Sequence, residues 1–225
     1  MIFLKIVSKL IFLVSFLIIG CTPNKAITYP VSIFENSLNV AFSKINDSIR
    51  VKRRSLGIEK DEVTKTVENC NDLIRYFKEG YVLTEGINNM QVASEYQVCF
   101  QLDYLNNAVA AKKSYLPDPY TNLIIEQLDL QTIRSSLKQK MDDKPQTIKD
   151  LSFLKPEKKS NTVTVDNSDW FYQFNILAKG DFNNDGNEDL LIDFFDQAKK
   201  GNYFSHSTYI LTKNMSDKYL SVIKP

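Results

Sequence analysis

The sequence predicts an α+β fold: N-terminal helices, two of them stapled by a disulfide as a helical hairpin, packed with a C-terminal antiparallel β-meander. Three observations carry this. Apolar residues recur at helical spacing through residues 32–154. From residue 162 to 225 the pattern changes to short alternating runs rich in Val, Ile, Thr and aromatics. The connections between those runs are too short for crossover helices, which favours antiparallel neighbours.

The chain opens with a segment set apart from that fold. Lys5 and Lys9 give a positive start, and Leu10 to Ile19 is an uncharged apolar run. A stretch of this length matches a secretion signal and is too short to span a bilayer. It ends in Ile18-Ile19-Gly20-Cys21, which resembles the lipobox of bacterial lipoproteins. The resemblance implies that residues 1–20 are a signal peptide and that Cys21 becomes the acylated first residue. It also implies a cell-envelope location, anchored to a membrane through lipid. Two or more acyl chains anchor stably where one does so only marginally. Thr22 stands where an Asp in such families favours inner-membrane retention, so the resemblance implies the outer membrane.

Residues 21–31 read as a polar tether. Ser32 with Glu35 forms a capping-box pattern, and Phe34, Leu38, Ala41, Ile45 and Ile49 follow at helical spacing. Arg50 to Lys60 is charged, contains Gly57 and reads as a loop. Val63, Val67, Cys70, Ile74 and Phe77 make a second stripe ending at Gly80, a helix-terminating position. Val98, Leu102, Leu105 and Val109 make a third. Cys70 and Cys99 fall on these two stripes. With Cys21 assigned to lipid, an even pair in an oxidising compartment reads as a disulfide. Pro117-Asp118-Pro119 breaks the chain, with Asp118 as a cap and Pro119 as a first helical residue. Leu123 to Leu137 continues helically, although Leu128-Asp129-Leu130 also fits a short strand. Lys155 to Asn161 reads as a polar linker. Strands are expected at Thr162–Val165, Phe171–Ala178, Leu190–Phe195, Ser207–Lys213 and Tyr219–Ile223. Alternation puts Trp170, Tyr172 and Phe174 on one side of the sheet, where packing under the helices is favoured over use as an aromatic binding face.

The stretch that carries chemistry runs from Gly180 to Ile192. Asp181, Asn183, Asp185, Asn187 and Asp189 stand at loop positions one, three, five, seven and nine, with Gly186 at six. Calcium is a hard cation that takes six to eight oxygens, and a tightly wound loop turns alternate side chains inward. Glu188, Asp193 and Asp196 add to the local negative charge. An EF-hand would need a bidentate Glu at position twelve, where Ile192 stands. The loop is instead similar to the calcium loop of FG-GAP and VCBS repeats, including Phe182 and the Leu190-Leu191-Ile192 run that follows. The resemblance covers about residues 176–195. It implies Asp181, Asn183, Asp185 and Asp189 as side-chain ligands of Ca2+, with Asn187 contributing its carbonyl. A propeller needs several such blades and the chain has one. Single loops of this type also resemble those of uncharacterised bacterial lipoproteins. The ion is expected to be structural.

Composition narrows the function. Without Lys5 and Lys9 the chain carries 26 basic and 27 acidic residues, a balance that gives no drive toward nucleic acid. His206 is the only histidine, and Ser205 and Ser207 beside it point to the other face of a strand, so no triad is legible. The leading expectation is a non-catalytic, calcium-stabilised envelope lipoprotein that binds a protein or glycan. A wall- or glycan-acting hydrolase and an inhibitor or immunity-type protein are the alternatives. Cys21→Ser is expected to abolish incorporation of a labelled lipid precursor; labelling equal to wild type would overturn lipidation.

Overall fold

The computed structural model describes residues 27–137 and 143–223. The signal peptide expected over residues 1–20, and Cys21, lie outside the described residues. Among these, no helix is long and apolar enough to cross a membrane.

The centre is one antiparallel sheet. It is built from β5 (Pro156–Lys159), β6 (Thr162–Asp166), β7 (Trp170–Gly180), β8 (Asp189–Ala198), β9 (Phe204–Thr212) and β10 (Ser221–Val222). They lie in sequence order, a meander. Short β1 (Ser32–Ile33) pairs with the end of β7 that β6 leaves uncovered. Alternation along β7 breaks between Ile176 and Ala178, where the register against β8 shifts. That bulge turns Ala178 to join Leu177 in a second apolar layer.

Each face of the sheet has its own cover. On one face Tyr172, Phe174, Ile192, Phe194 and Leu211 pack under α6 (Tyr120–Gln127) and under Leu128, Leu130, Ile133, Leu137, Ile148, Leu151 and Leu154. Trp170 joins the edge of that cluster, so all three expected aromatics share the covered face. On the other face Leu177, Leu191 and Ile210 meet α1 (Asn36–Ser43) and α5 (Gln97–Asn107) through Leu38, Leu102 and Leu105. A third cluster joins a small sheet, β2 (Leu56–Lys60), β3 (Val63–Val67) and β4 (Val82–Leu83), to α3 (Cys70–Lys78), α4 (Ile87–Ser94) and α5. A short helix, α2 (Ile45–Ser48), follows α1.

The fold class is therefore as the sequence predicts, but several element boundaries differ, each for a physical reason. Residues 32–154 are not wholly helical, because they contain β1 to β4. Ser32 lies in β1, and the α1 cap is Glu35, whose carboxylate accepts from Ser37 N at 3.1 Å. Val63 and Val67 belong to β3, not to a helical stripe; a spacing of four residues fits one face of either element. The β2–β3 turn holds Asp61 and Glu62 at positive φ, a hairpin made without the usual Asn-Gly signature. Gly57 sits inside β2, because a Cβ there would stand 2.6 Å from Thr84 Oγ1. The stretch 155–161 is not a linker: β5 pairs with β6 through Ser160, also at positive φ. Val109 lies beyond α5. Helix α6 begins at Tyr120 with no side-chain cap from Asp118, and ends at Gln127. Leu128 then forms a single parallel bridge to Leu220.

Cys70 and Cys99 are bonded, both fully buried, and they join the first turn of α3 to the first turn of α5. Between those helices the chain runs through β4 and α4. Closing 29 residues stabilises the fold by roughly 3.6 kcal/mol on the chain-entropy account. Cys70→Ala with Cys99→Ala is expected to lower unfolding free energy by about 3–4 kcal/mol in denaturant titration. A loss below about 1 kcal/mol would show that packing alone holds the small sheet.

Candidate functional site

Residues Asp181–Glu188 are the turn between the two central strands, β7 and β8. The backbone of residues 109–113 clasps it. Val109 and Asp181 exchange N–H···O bonds of 3.0 Å. The N–H groups of Lys112 and Lys113 both donate to the Gly186 carbonyl, at 2.8 and 3.1 Å, and Glu188 N donates to Lys113 O at 2.8 Å. Asn184 and Gly186 have positive φ, which lets the loop reverse within a few residues. Phe182 is buried in the layer with Leu38 and Leu191, and so pins the turn to the body.

Inside the turn the side chains bond to their own backbone. The Asp181 carboxylate accepts from Asp185 N (3.2 Å) and Gly186 N (2.8 Å). Asn183 Oδ1 accepts from Asp185 N (3.0 Å), and Asp185 Oδ1 accepts from Asn187 N (2.7 Å). Asn187 donates its amide to Asn214 Oδ1 at 3.0 Å. Asn183 and Asp185 are exposed, whereas Asp181 and Asp189 are buried.

Asp189 is the anomalous member. It has no solvent exposure, its Oδ2 accepts from Phe182 N at 3.1 Å, and its Oδ1 makes no hydrogen bond. The nearby Thr212 hydroxyl is also buried and falls short of hydrogen-bond geometry. A buried carboxylate oxygen without a donor is costly in the charged form. Burial accordingly pushes the Asp189 carboxyl up to about 7. Asp185 and Asp181 add to the rise, while Thr212 and the Phe182 N–H oppose it.

The other acids expected to deepen the negative charge are engaged elsewhere. Glu188 is buried, pairs with Lys179 Nζ at 3.1 Å and accepts from Ser114 Oγ at 2.6 Å. Asp196 accepts from Ser136 N and Tyr203 Oη. Asp193 contacts His206 Nε2 through both oxygens, at 2.7 and 2.8 Å, and accepts weakly from Gln101 at 3.3 Å. That last grouping was not legible in the sequence. Asp193 and His206 come together only through the β8–β9 register, and Gln101 only through the docking of α5.

Among the described residues, no three His, Cys, Asp or Glu side chains form a ready metal cluster. A cation shell here would therefore combine the aspartates with Asn183 and the Asn187 carbonyl. The uncompensated Asp189 oxygen fits such a role, and hard oxygen donors suit calcium. No family model matches the chain, and neither a curated protein nor a solved structure does.

The raised Asp189 carboxyl makes a signed prediction for protein held in chelator. The folded state keeps its proton up to about pH 7, whereas the unfolded chain loses it near 3.8. Stability is therefore highest below that window and falls as pH rises through it. Asp189→Asn should flatten this fall, which is on the order of a few kcal/mol at most. Urea midpoints between pH 4 and 8 check it; an equal slope in wild type and variant would remove Asp189 as the cause.

Proposed function

We propose that the chain is a lipid-anchored envelope protein that binds a partner, and that a structural calcium ion completes its β7–β8 turn. The observation that carries the calcium part is the buried Asp189 Oδ1 with no donor, at the base of a turn bearing Asp181, Asn183 and Asp185. A divalent cation supplies the missing positive charge, holding Asp189 ionised and tying both strand ends to the turn. Asp181, Asn183, Asp185, Asp189 and the Asn187 carbonyl would hold it. The anchor rests on the Gly20-Cys21 pattern and the apolar run before it. The ion's role is mechanical: it stiffens the connection between the two strands on which both apolar layers pack.

Binding to the native state alone stabilises by RT ln(1 + [L]/Kd). At a calcium concentration tenfold above Kd that is about 1.4 kcal/mol, or roughly 3–6 °C in melting temperature for a chain of this size. Millimolar calcium should therefore raise the melting temperature without being needed for folding. Asp185→Ala should remove most of the rise, since it deletes a central ligand and leaves Gly186 to form the turn. Magnesium should substitute poorly, because it demands a tighter octahedral shell. Calcium leaving wild type unchanged, or shifting both proteins alike, would reduce residues 181–189 to an acidic turn.

A further inference from the structure

The face of β8 and β9 next to α4 and α5 carries a groove separate from the β7–β8 turn. Three hollows run together there, all touching Ser94 at the end of α4. One of about 650 Å³ lies against Met90, Gln197, Asn202 and Phe204. Another, of about 480 Å³, is floored by Asn175, Asp193 and His206 and walled by Gln97 and Gln101. His206 and the smaller hollow of about 290 Å³ lie between them.

The lining defines the chemistry that fits. Its carboxylates are already engaged. Glu35 caps α1, Glu95 pairs with Arg54, and Asp193 is held by His206 and Gln101. Among the described residues, Arg134 is the one Lys or Arg side chain in its lining, too little for a phosphate or polyanion. What remains is a set of amides that both donate and accept, Gln91, Gln197 and Asn202, with the Asn175 amide N–H beside them; Asn175 Oδ1 already accepts from Thr162 at 3.1 Å, and Ser94 Oγ donates to Gln91 O at 2.7 Å and is left to accept. Asp193 takes the Nε2 side of His206, and Nδ1 makes no hydrogen bond among the described residues. Beside these runs a ridge of half-buried phenyl rings on the same sheet face. Phe204 meets Phe195 at 4.8 Å, and Phe195 meets Phe171 at 5.9 Å. Strand addition by a peptide is disfavoured, because Gln97 Oε1 already takes the Thr208 N–H at 3.0 Å.

We infer that this groove binds a neutral oligosaccharide, its C–H faces resting on Phe204 and Phe195 and its hydroxyls bonded by the amides and His206. This deepens the proposed binding role and rests on that reading, but not on the calcium ion. A ring-shaped polyol is the ligand that offers flat apolar faces and paired donors and acceptors without net charge. Gln197 is exposed and Phe204 half-buried, so both can be truncated with little loss of fold.

The test is titration calorimetry of the intact protein with trimers of N-acetylglucosamine, glucose (β1–4 and α1–4) and mannose, with galacturonic acid trimer as the anionic control. At least one neutral trimer should bind, and Gln197→Ala and Phe204→Ala should each weaken it by about tenfold or more. Glu157→Ala, on exposed β5 and outside the groove lining, should bind that trimer as wild type does. Failure of every neutral trimer, equal binding of the galacturonic acid trimer, or unchanged affinity in both groove variants would overturn the proposal. A calcium-dependent melt in the same preparation separates that outcome from failure of the loop.

Discussion

Pairing of β7 with β8 is the interaction on which the other layers depend. Tyr172, Phe174, Ile192 and Phe194 from these strands form the floor beneath α6. Leu177 and Leu191, joined by Ala178 which the bulge turns over, form the floor beneath α1 and α5. Both layers therefore draw their alignment from one hydrogen-bonded register. A slip of one residue would exchange the two faces and expose each core at once. The turn that fixes this register is the acidic one. Its closing residue, Asp189, pairs with Gly180, where a Cβ would press within 3.0 Å of Val31. Close approach of β1 and the clasp of residues 109–113 hold the turn from two further sides.

Helix α5 is the second joint. Leu102 and Leu105 belong to the layer on the main sheet, whereas Cys99 belongs to the small sheet's cluster. One helix thus serves two cores, and the disulfide ties its first turn to α3. Polar bonds complete the seam: Gln97 and Gln101 reach Thr208 and Asp193 across it. The small sheet is consequently coupled to the meander chiefly through α5, with α4 also resting on β9, and the backbone amides of α5 should be among the slowest to exchange.

Legibility in the sequence followed the strength of local signals. The C-terminal strands were readable because Val163, Val165, Tyr172, Phe174 and Ile176 alternate with polar residues and turns separate them. The turn at Asp181–Asp189 was readable from its oxygen spacing and Gly186. The small sheet was not, because its hairpin uses Asp61 and Glu62 where turn chemistry favours Asn-Gly, and because Gly57 looks like a breaker. The Asp193–His206 pair was invisible for a different reason. Residues 13 apart meet only when a strand register is known, and no residue pattern announces one. Glu188 shows the converse: it looked like part of the acidic turn, yet it points to Lys179 and Ser114.

The N-terminal entry has a further consequence for geometry. Tyr29 pairs with Ala111, two residues before the Lys113–Asn187 bridge, so the chain enters the fold beside the acidic turn. Eight residue-to-residue steps lead from Cys21 to Tyr29, a reach of about 28 Å at full extension. The groove's outer mouth, at Gly201 and Asn202, lies beyond the other end of β8. Ten residues of strand make that roughly 33 Å. On the lipid-anchor reading, the body is moored by one pole and its groove opens at the other. Strand length, more than tether length, then sets how far from the bilayer a ligand is met.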